Sequence, residues 1–200
     1  RAPSSGGTDL GAGSSDVAYS RALTGLVAGT TYYYCALASN SVGTSVGTVM
    51  SFTTLAAPAV TTVAASSVSA TGATLNGTGT PRGAATTGWF RYSATNPGSC
   101  SDTFGTRLPA SGGTNLGSGS AAQAFSQALT GLTAGTTYYF CAIAQNSVGT
   151  SLGSVLSFVT PATPLVTTSA ATLVATTTAT LNGSATPRGS ATTGWFRYGT

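Results

Sequence analysis

The sequence predicts an all-β chain of tandem antiparallel β-sandwiches, about seven strands each, and three observations lead to that fold class. The first is composition. Of 200 residues 41% are hydrophobic and only 5% charged, and there is no lysine, glutamate or histidine. Thr, Ser, Gly and Val dominate where the strong surface helix formers are missing, which disfavours helices and suits half-buried pleated strands. The second is the stretch at 129–149, LTGLTAGTTYYFCAIAQNSVG, which joins a turn to a long strand and recurs almost unaltered at 23–43. Its Leu132-x-x-Gly135-Thr-Thr-Tyr138 run is a strand-ending corner: the leucine plugs a core, the glycine permits the turn, and the tyrosine hydroxyl can anchor on backbone just upstream.

The third observation is internal repetition. A shift of 106 residues superimposes Arg1 on Arg107, Cys35 on Cys141, Phe52 on Phe158 and Trp89 on Trp195, without a gap and with about two-thirds of the overlapping positions identical. A period of this length is a whole domain rather than one turn of a solenoid. The chain therefore divides into 1–57, the back part of one repeat, 58–160, a complete repeat, and 161–200, the first three strands of the next.

Taken in order, residues 1–13 read as a Gly/Ser-rich loop and 17–23 as a short alternating strand before the corner. Residues 31–39 form a long strand in which Tyr32, Tyr34, Ala36 and Ala38 face one way and Tyr33, Cys35 and Leu37 the other. NSVGT at 40–44 supplies a hairpin turn, and 46–54 returns as the last strand. The complete repeat opens with strands at 59–64 and 73–77, turns at TGTPRG (78–83), and continues with a third strand at 86–92.

That third strand, TTGWFRY, carries bulk on both faces. Phe90 and Tyr92 are assigned to the core, which turns Trp89 and Arg91 outward beside Tyr139, Cys141 and Ile143 of the neighbouring strand. An apolar patch of this kind usually has a purpose. Either the long segment 93–119, poor in strand signals, folds back over it, or it packs against another chain or domain. Trp89, Arg91, Tyr139, Ile143 and, in the next copy, Trp195 are thus the candidate interaction surface.

Together the corner, the hairpin and the ATLNG/WFRY strand pair resemble the fibronectin type III-like repeats found in tandem in large secreted bacterial surface proteins. Their signature runs ATLNG, an aromatic-rich strand ending in Tyr, then LTGLxPGTTYxYxxxAxNSxGTxxGxxxxFTT. It is matched at 73–77, 89–92, 129–149 and 157–160. The resemblance covers the whole chain and implies an immunoglobulin-like sandwich. The second-strand tryptophan of animal fibronectin domains is replaced by the region Leu75-Asn76-Gly77, and the corner proline is Ala28 or Ala134. There is no RGD motif, and PRG at 81–83 reads as a turn, so integrin-type recognition is not carried over.

Three cysteines become an even framework once the repeat is considered. Each complete copy holds one in a PGSCSD loop (Cys100) and one on the sixth strand (Cys141), and Cys35 lacks its counterpart because the preceding part of its repeat is outside the sequence. A Cys100–Cys141 bond would tie 93–119 across the outer face and points to an extracellular or cell-surface location. With no histidine and no CxxC spacing, zinc is disfavoured.

Catalysis fails on its requirements. A serine or cysteine nucleophile needs a general base, and no histidine, lysine or glutamate is available. The complete repeat has one carboxylate, Asp102, where a glycosidase-type pair needs two. Calcium and phosphate-loop readings of the Asp and Gly residues lack ligands and lysine respectively. We therefore expect no enzyme, no cofactor and no metal. All seven basic residues are arginines scattered singly, which argues against nucleic acid despite a formal charge of +4, and no apolar run is long enough to span a bilayer. Two Asn-Gly-Thr/Ser sequons, at Asn76 and Asn182, leave glycosylation open.

The expected function is a structural repeat module of an extracellular or cell-surface fibre, its partners being neighbouring copies of the same repeat, head to tail. The alternatives are an adhesive or glycan-binding module using Trp89 and Tyr139 as a stacking platform, and a spacer in a larger secreted enzyme. Strands of 162–200 are expected to meet a back half such as 1–57, in the same polypeptide or an adjacent one, so that the seam looks like the intact repeat.

Overall fold

A computed structural model describes residues 2–200; Arg1, the first residue of the expected loop, lies outside the described residues. Among them there is no helix, and every strand pairing is antiparallel. Two compact units divide at Leu55 and Ala56.

The first unit contains four short strands: β1 (Thr31–Tyr34), β2 (Leu37–Ser39), β3 (Thr44–Val46) and β4 (Met50–Thr53). They form two separate ribbons, β1 with β4 and β2 with β3. Three expectations are corrected here. The long strand at 31–39 is interrupted at Cys35 and Ala36, the returning strand at 46–54 is interrupted at 47–49, and 17–23 is not a strand. For 31–39 and 17–23 the complete repeat supplies the reason, because the corresponding strands there are held by partners that this unit lacks.

The complete repeat runs β5 (Ala59–Ser66), β6 (Gly72–Thr80), β7 (Thr86–Ser93), β8 (Thr106–Leu108), β9 (Thr114–Gly117), β10 (Gln123–Thr130), β11 (Thr137–Gln145), β12 (Thr150–Leu152) and β13 (Leu156–Val159). One sheet has the order β10-β6-β5. In the other, β7 and β11 are central; β8 and β9 both line the free side of β7, and β12 and β13 both line the free side of β11. The nine segments therefore occupy seven strand positions, three facing four. Segment 93–119, read as poor in strands, supplies β8 and β9.

The faces follow the period of two. Tyr138, Phe140, Ala142 and Ala144 of β11 pack with Phe90 and Tyr92 of β7 against Ala73 and Leu75 of β6 and Phe125 and Leu129 of β10. Phe90, Phe140 and Leu75 are wholly buried, each stabilising the sandwich by about 1.5–3 kcal/mol. Gly77 lets the sheets approach: a Cβ there would lie 2.9 Å from the Ala142 methyl and 3.1 Å from Phe125 Cζ. Between β12 and β13 the edge pauses, leaving the Ala142 N–H without a ladder partner. Thr62 Oγ1 reaches across from β5 to accept it at 3.0 Å, and Gly153 N donates to Ala142 O at 2.8 Å.

Beyond the repeat, β14 (Leu165–Thr172) and β15 (Thr180–Thr186) pair as an isolated hairpin. The expected third strand, TTGWFRY at 192–198, does not form. Its counterpart β7 is paired along nearly its whole length with β11, and backbone without such a ladder has no reason to stay extended.

Candidate functional site

The outer face of β7 and β11 is not an open patch. Trp89 is only 4% exposed and clusters with buried Cys141 and Ile143, capped by Cys100, Phe104 and Val155. This corrects the expectation of an accessible aromatic surface at Trp89 and Ile143: of the two readings, the one in which 93–119 folds back describes this repeat. Residues 94–105 form the covering strap. Cys100 is bonded to Cys141, 41 residues away, a loop closure worth about 4 kcal/mol in the chain-entropy model.

Asp102 is the strap's second fastening. Its Oδ1 accepts the Trp89 indole N–H at 2.8 Å and Arg91 Nε–H at 3.0 Å. The Arg91 side chain is 17% exposed and that of Asp102 43%, so the ion pair itself contributes under about 1 kcal/mol. The weightier effect is satisfaction of the buried Trp89 indole donor. The Arg107 guanidinium lies over the Trp89 ring, 4.6 Å from its centroid, and donates to Pro109 O and Gly112 O. Arg91 and Arg107 thus have structural duties from paired strands, Arg107 stacked on Trp89 and Arg91 bonded to Asp102. Tyr139 remains half-exposed on the same face, and Trp195 is 75% exposed.

The two ends of the sandwich hold the other constellations. At one end is the corner: Leu132 is buried, Gly135 has φ +68°, and the Tyr138 hydroxyl accepts the Thr133 N–H at 3.0 Å. Tyr32 accepts Val27 N–H at 2.9 Å in the same way. Thr160, fully buried, ties the outgoing chain to this corner; its Oγ1 donates to Thr133 O at 2.6 Å and accepts Thr136 N–H at 3.0 Å. Thr54 makes the equivalent pair with Val27 O and Thr30 N.

At the opposite end Asn146 is the hub. Its Oδ1 accepts the N–H groups of Val148 and Gly149, closing the NSVGT hairpin, while its Nδ2 donates to Ala56 O at 2.8 Å and Pro81 O at 3.0 Å. Ser151 Oγ donates to Pro58 O. The PRG turn holds Arg82 at φ +58°, and Arg82 O accepts the Ala56 N–H. Incoming linker, turn and hairpin are thereby one hydrogen-bonded assembly. The next junction repeats its backbone part: Ala162 N donates to Arg188 O at 3.0 Å, with Arg188 at φ +57°.

The sequence pattern does not single out Asn146, Thr160 and Thr62, although Asn40, Thr54 and Thr168 recur at their positions. Both sequons carry a structural duty. Asn76 Nδ2 donates to Ala64 O and Ser66 Oγ, bridging the bulge where β5 and β6 slip register, and Asn182 does the same with Ala170 O and Thr172 Oγ1. A glycan on either nitrogen would compete with those bonds. Asp102, the one carboxylate of the complete repeat, is committed to Trp89 and Arg91. Among the described residues no helix is long and apolar enough to cross a membrane.

No family model and no curated protein matches the chain. Among solved structures it is similar to the sensor domain of the anti-sigma factor RsgI4 in Pseudobacteroides cellulosolvens. The short version is 22% identical over 52% of this chain and 93% of that one, with a TM-score of 0.36. The long version is 20% identical over 52% and 88%, at 0.33. Its solution structure is 20% identical over 51% and 74%, also at 0.33.

Proposed function

We propose that the chain is part of a tandem array of fibronectin type III-like sandwiches serving as the structural repeat module of an extracellular or cell-surface fibre. The observation that carries this reading is the junction. Thr160 anchors the outgoing chain to the corner of its own repeat, and two residues later Ala162 is anchored to the Arg188 turn. Only Pro161 separates the anchors, and proline fixes its own φ. A linker tied this way transmits orientation rather than absorbing bending.

The seven strand positions, three facing four, support the fibronectin-like reading, and the Cys100–Cys141 bond supports an oxidising, extracellular setting. An adhesive platform on Trp89 has less support, since the ring lies under the strap. Solution scattering from a polypeptide of three or more repeats tests the proposal. A stiff rod lengthening by roughly 30–40 Å per repeat, the span of a nine-residue strand plus linker, is expected. A flexible chain whose dimensions grow as the square root of repeat number would overturn it.

A further inference from the structure

The complete repeat is continued covalently on both sides, so tension along the chain enters it at Ala56 and leaves it at Thr160. These points lie at opposite ends of the sandwich. Strand β11 spans the two ends, from Thr137 beside the corner to Gln145 beside the Asn146 hub. Strand β5 starts at the hub end, with Ala59 opposite Thr80, and β13 finishes at the corner end, with Val159 opposite Thr137.

A load along the chain therefore acts parallel to both terminal strands. The rungs from Ala59–Thr80 to Val63–Asn76, and those from Leu156–Phe140 to Val159–Thr137, take it together instead of opening one by one. The two strands belong to different sheets, and side chains tie the loaded end of β5 across to the other sheet. Thr62 Oγ1 accepts the Ala142 N–H, Ser151 Oγ donates to Pro58 O, and Asn146 Nδ2 donates to Ala56 O. At the exit, Thr160 Oγ1 is fastened to Thr133 O and Thr136 N–H.

Once this clamp opens, the covalent path decides how far the repeat lengthens. The Cys100–Cys141 bond joins points 41 residues apart in sequence whose Cα atoms are 6.0 Å apart. Tension that reaches either cysteine crosses the bond, so residues 101–140 carry none. That withheld segment contains β8, β9, β10, the corner and most of β11.

We infer that each repeat is a load-bearing tether with a built-in stop. The clamp on β5 and β13 sets the force at which it yields, and the disulfide caps the length then released. This rests on the fibre reading above and adds the load that the module resists. The same bond thus closes the strap in the folded repeat and shortens its extended form.

Single-molecule pulling on the whole chain, held by peptide tags at its ends so that no thiol is used, tests both parts. The repeat should yield in one abrupt step, as expected where a barrier to unfolding governs forced extension. Dithiothreitol added at constant force after that step should give one further jump of roughly 140 Å, at about 3.5 Å per freed residue. Cys100→Ser should reach the full length without it. Thr62→Val and Ser151→Ala, which remove ties of the clamp, should each yield at lower force than the unmodified chain. Phe125→Leu, a core change inside the withheld segment, should lower the force less for an equal loss of urea stability. Gradual extension without a resolved step, no jump on reduction, or equal loss of force for clamp and core variants overturns the inference. Scattering from several repeats decides the stiffness of the linkers separately: clamped repeats on flexible linkers would leave this inference standing and overturn the fibre reading.

Discussion

Asn146 and Ala56 lie 90 residues apart, yet the amide of one donates to the carbonyl of the other at 2.8 Å. The bond links the tip of the β11–β12 hairpin to the linker that enters the repeat. Asn146 is largely buried, and all its polar capacity is turned on backbone: two N–H groups accepted, two carbonyls served.

Substituting Asn146→Ala would leave the Ala56 and Pro81 carbonyls without that donor and release two turn amides. We expect a loss of about 2–3 kcal/mol, read by urea unfolding of the complete repeat. The same change at Asn40, an exposed position, should cost under about 1 kcal/mol. Equal costs at the two sites would show that the hairpin turn, not the linker clamp, is what Asn146 secures.

Cys100→Ser should free the strap. A destabilisation of up to about 4 kcal/mol is expected, together with a red shift of Trp89 emission, measured on a Trp195→Phe background so that a single indole reports. An unshifted spectrum would mean that Asp102, Phe104 and Arg107 hold the strap without the disulfide.

For Asp102→Ala the expected cost is about 1–3 kcal/mol, because the indole N–H loses its acceptor. Raising salt should change the wild-type stability little, since the exposed Arg91–Asp102 pair contributes only a small share. A stability difference between wild type and variant that vanishes in molar salt would reverse this assignment.

Thr160→Val keeps the shape of a fully buried side chain and removes its hydroxyl. Thr133 O and Thr136 N–H would each lose a partner, and about 2 kcal/mol of destabilisation should appear in thermal unfolding. In a multi-repeat polypeptide the same variant should also broaden the scattering-derived orientation between neighbours, which a purely local defect would not do.

Periodicity was enough to place the core. The alternation along 137–145 assigns Tyr138, Phe140, Ala142 and Ala144 to one face and Tyr139, Cys141 and Ile143 to the other, and both assignments depend only on the pleat. The corner was legible for a similar reason, as Leu132, Gly135 and Tyr138 act within a few residues of one another. The period of 106 residues likewise pointed to the Cys100–Cys141 pairing without any tertiary information.

Whether Trp89 is exposed was decided only by the tertiary fold, because burial of that ring depends on a strap whose own residues carry no strand pattern. The roles of Asn146, Thr62 and Thr160 were decided there too: their partners lie 90, 80 and up to 27 residues away, and a polar side chain's partner at such range leaves no local trace. Most telling are the near-identical stretches 31–39 and 137–145, one broken and the other a continuous strand. Propensity is the same in both, and the difference comes from β7 and Thr62, whose hydrogen bonds only the complete repeat supplies.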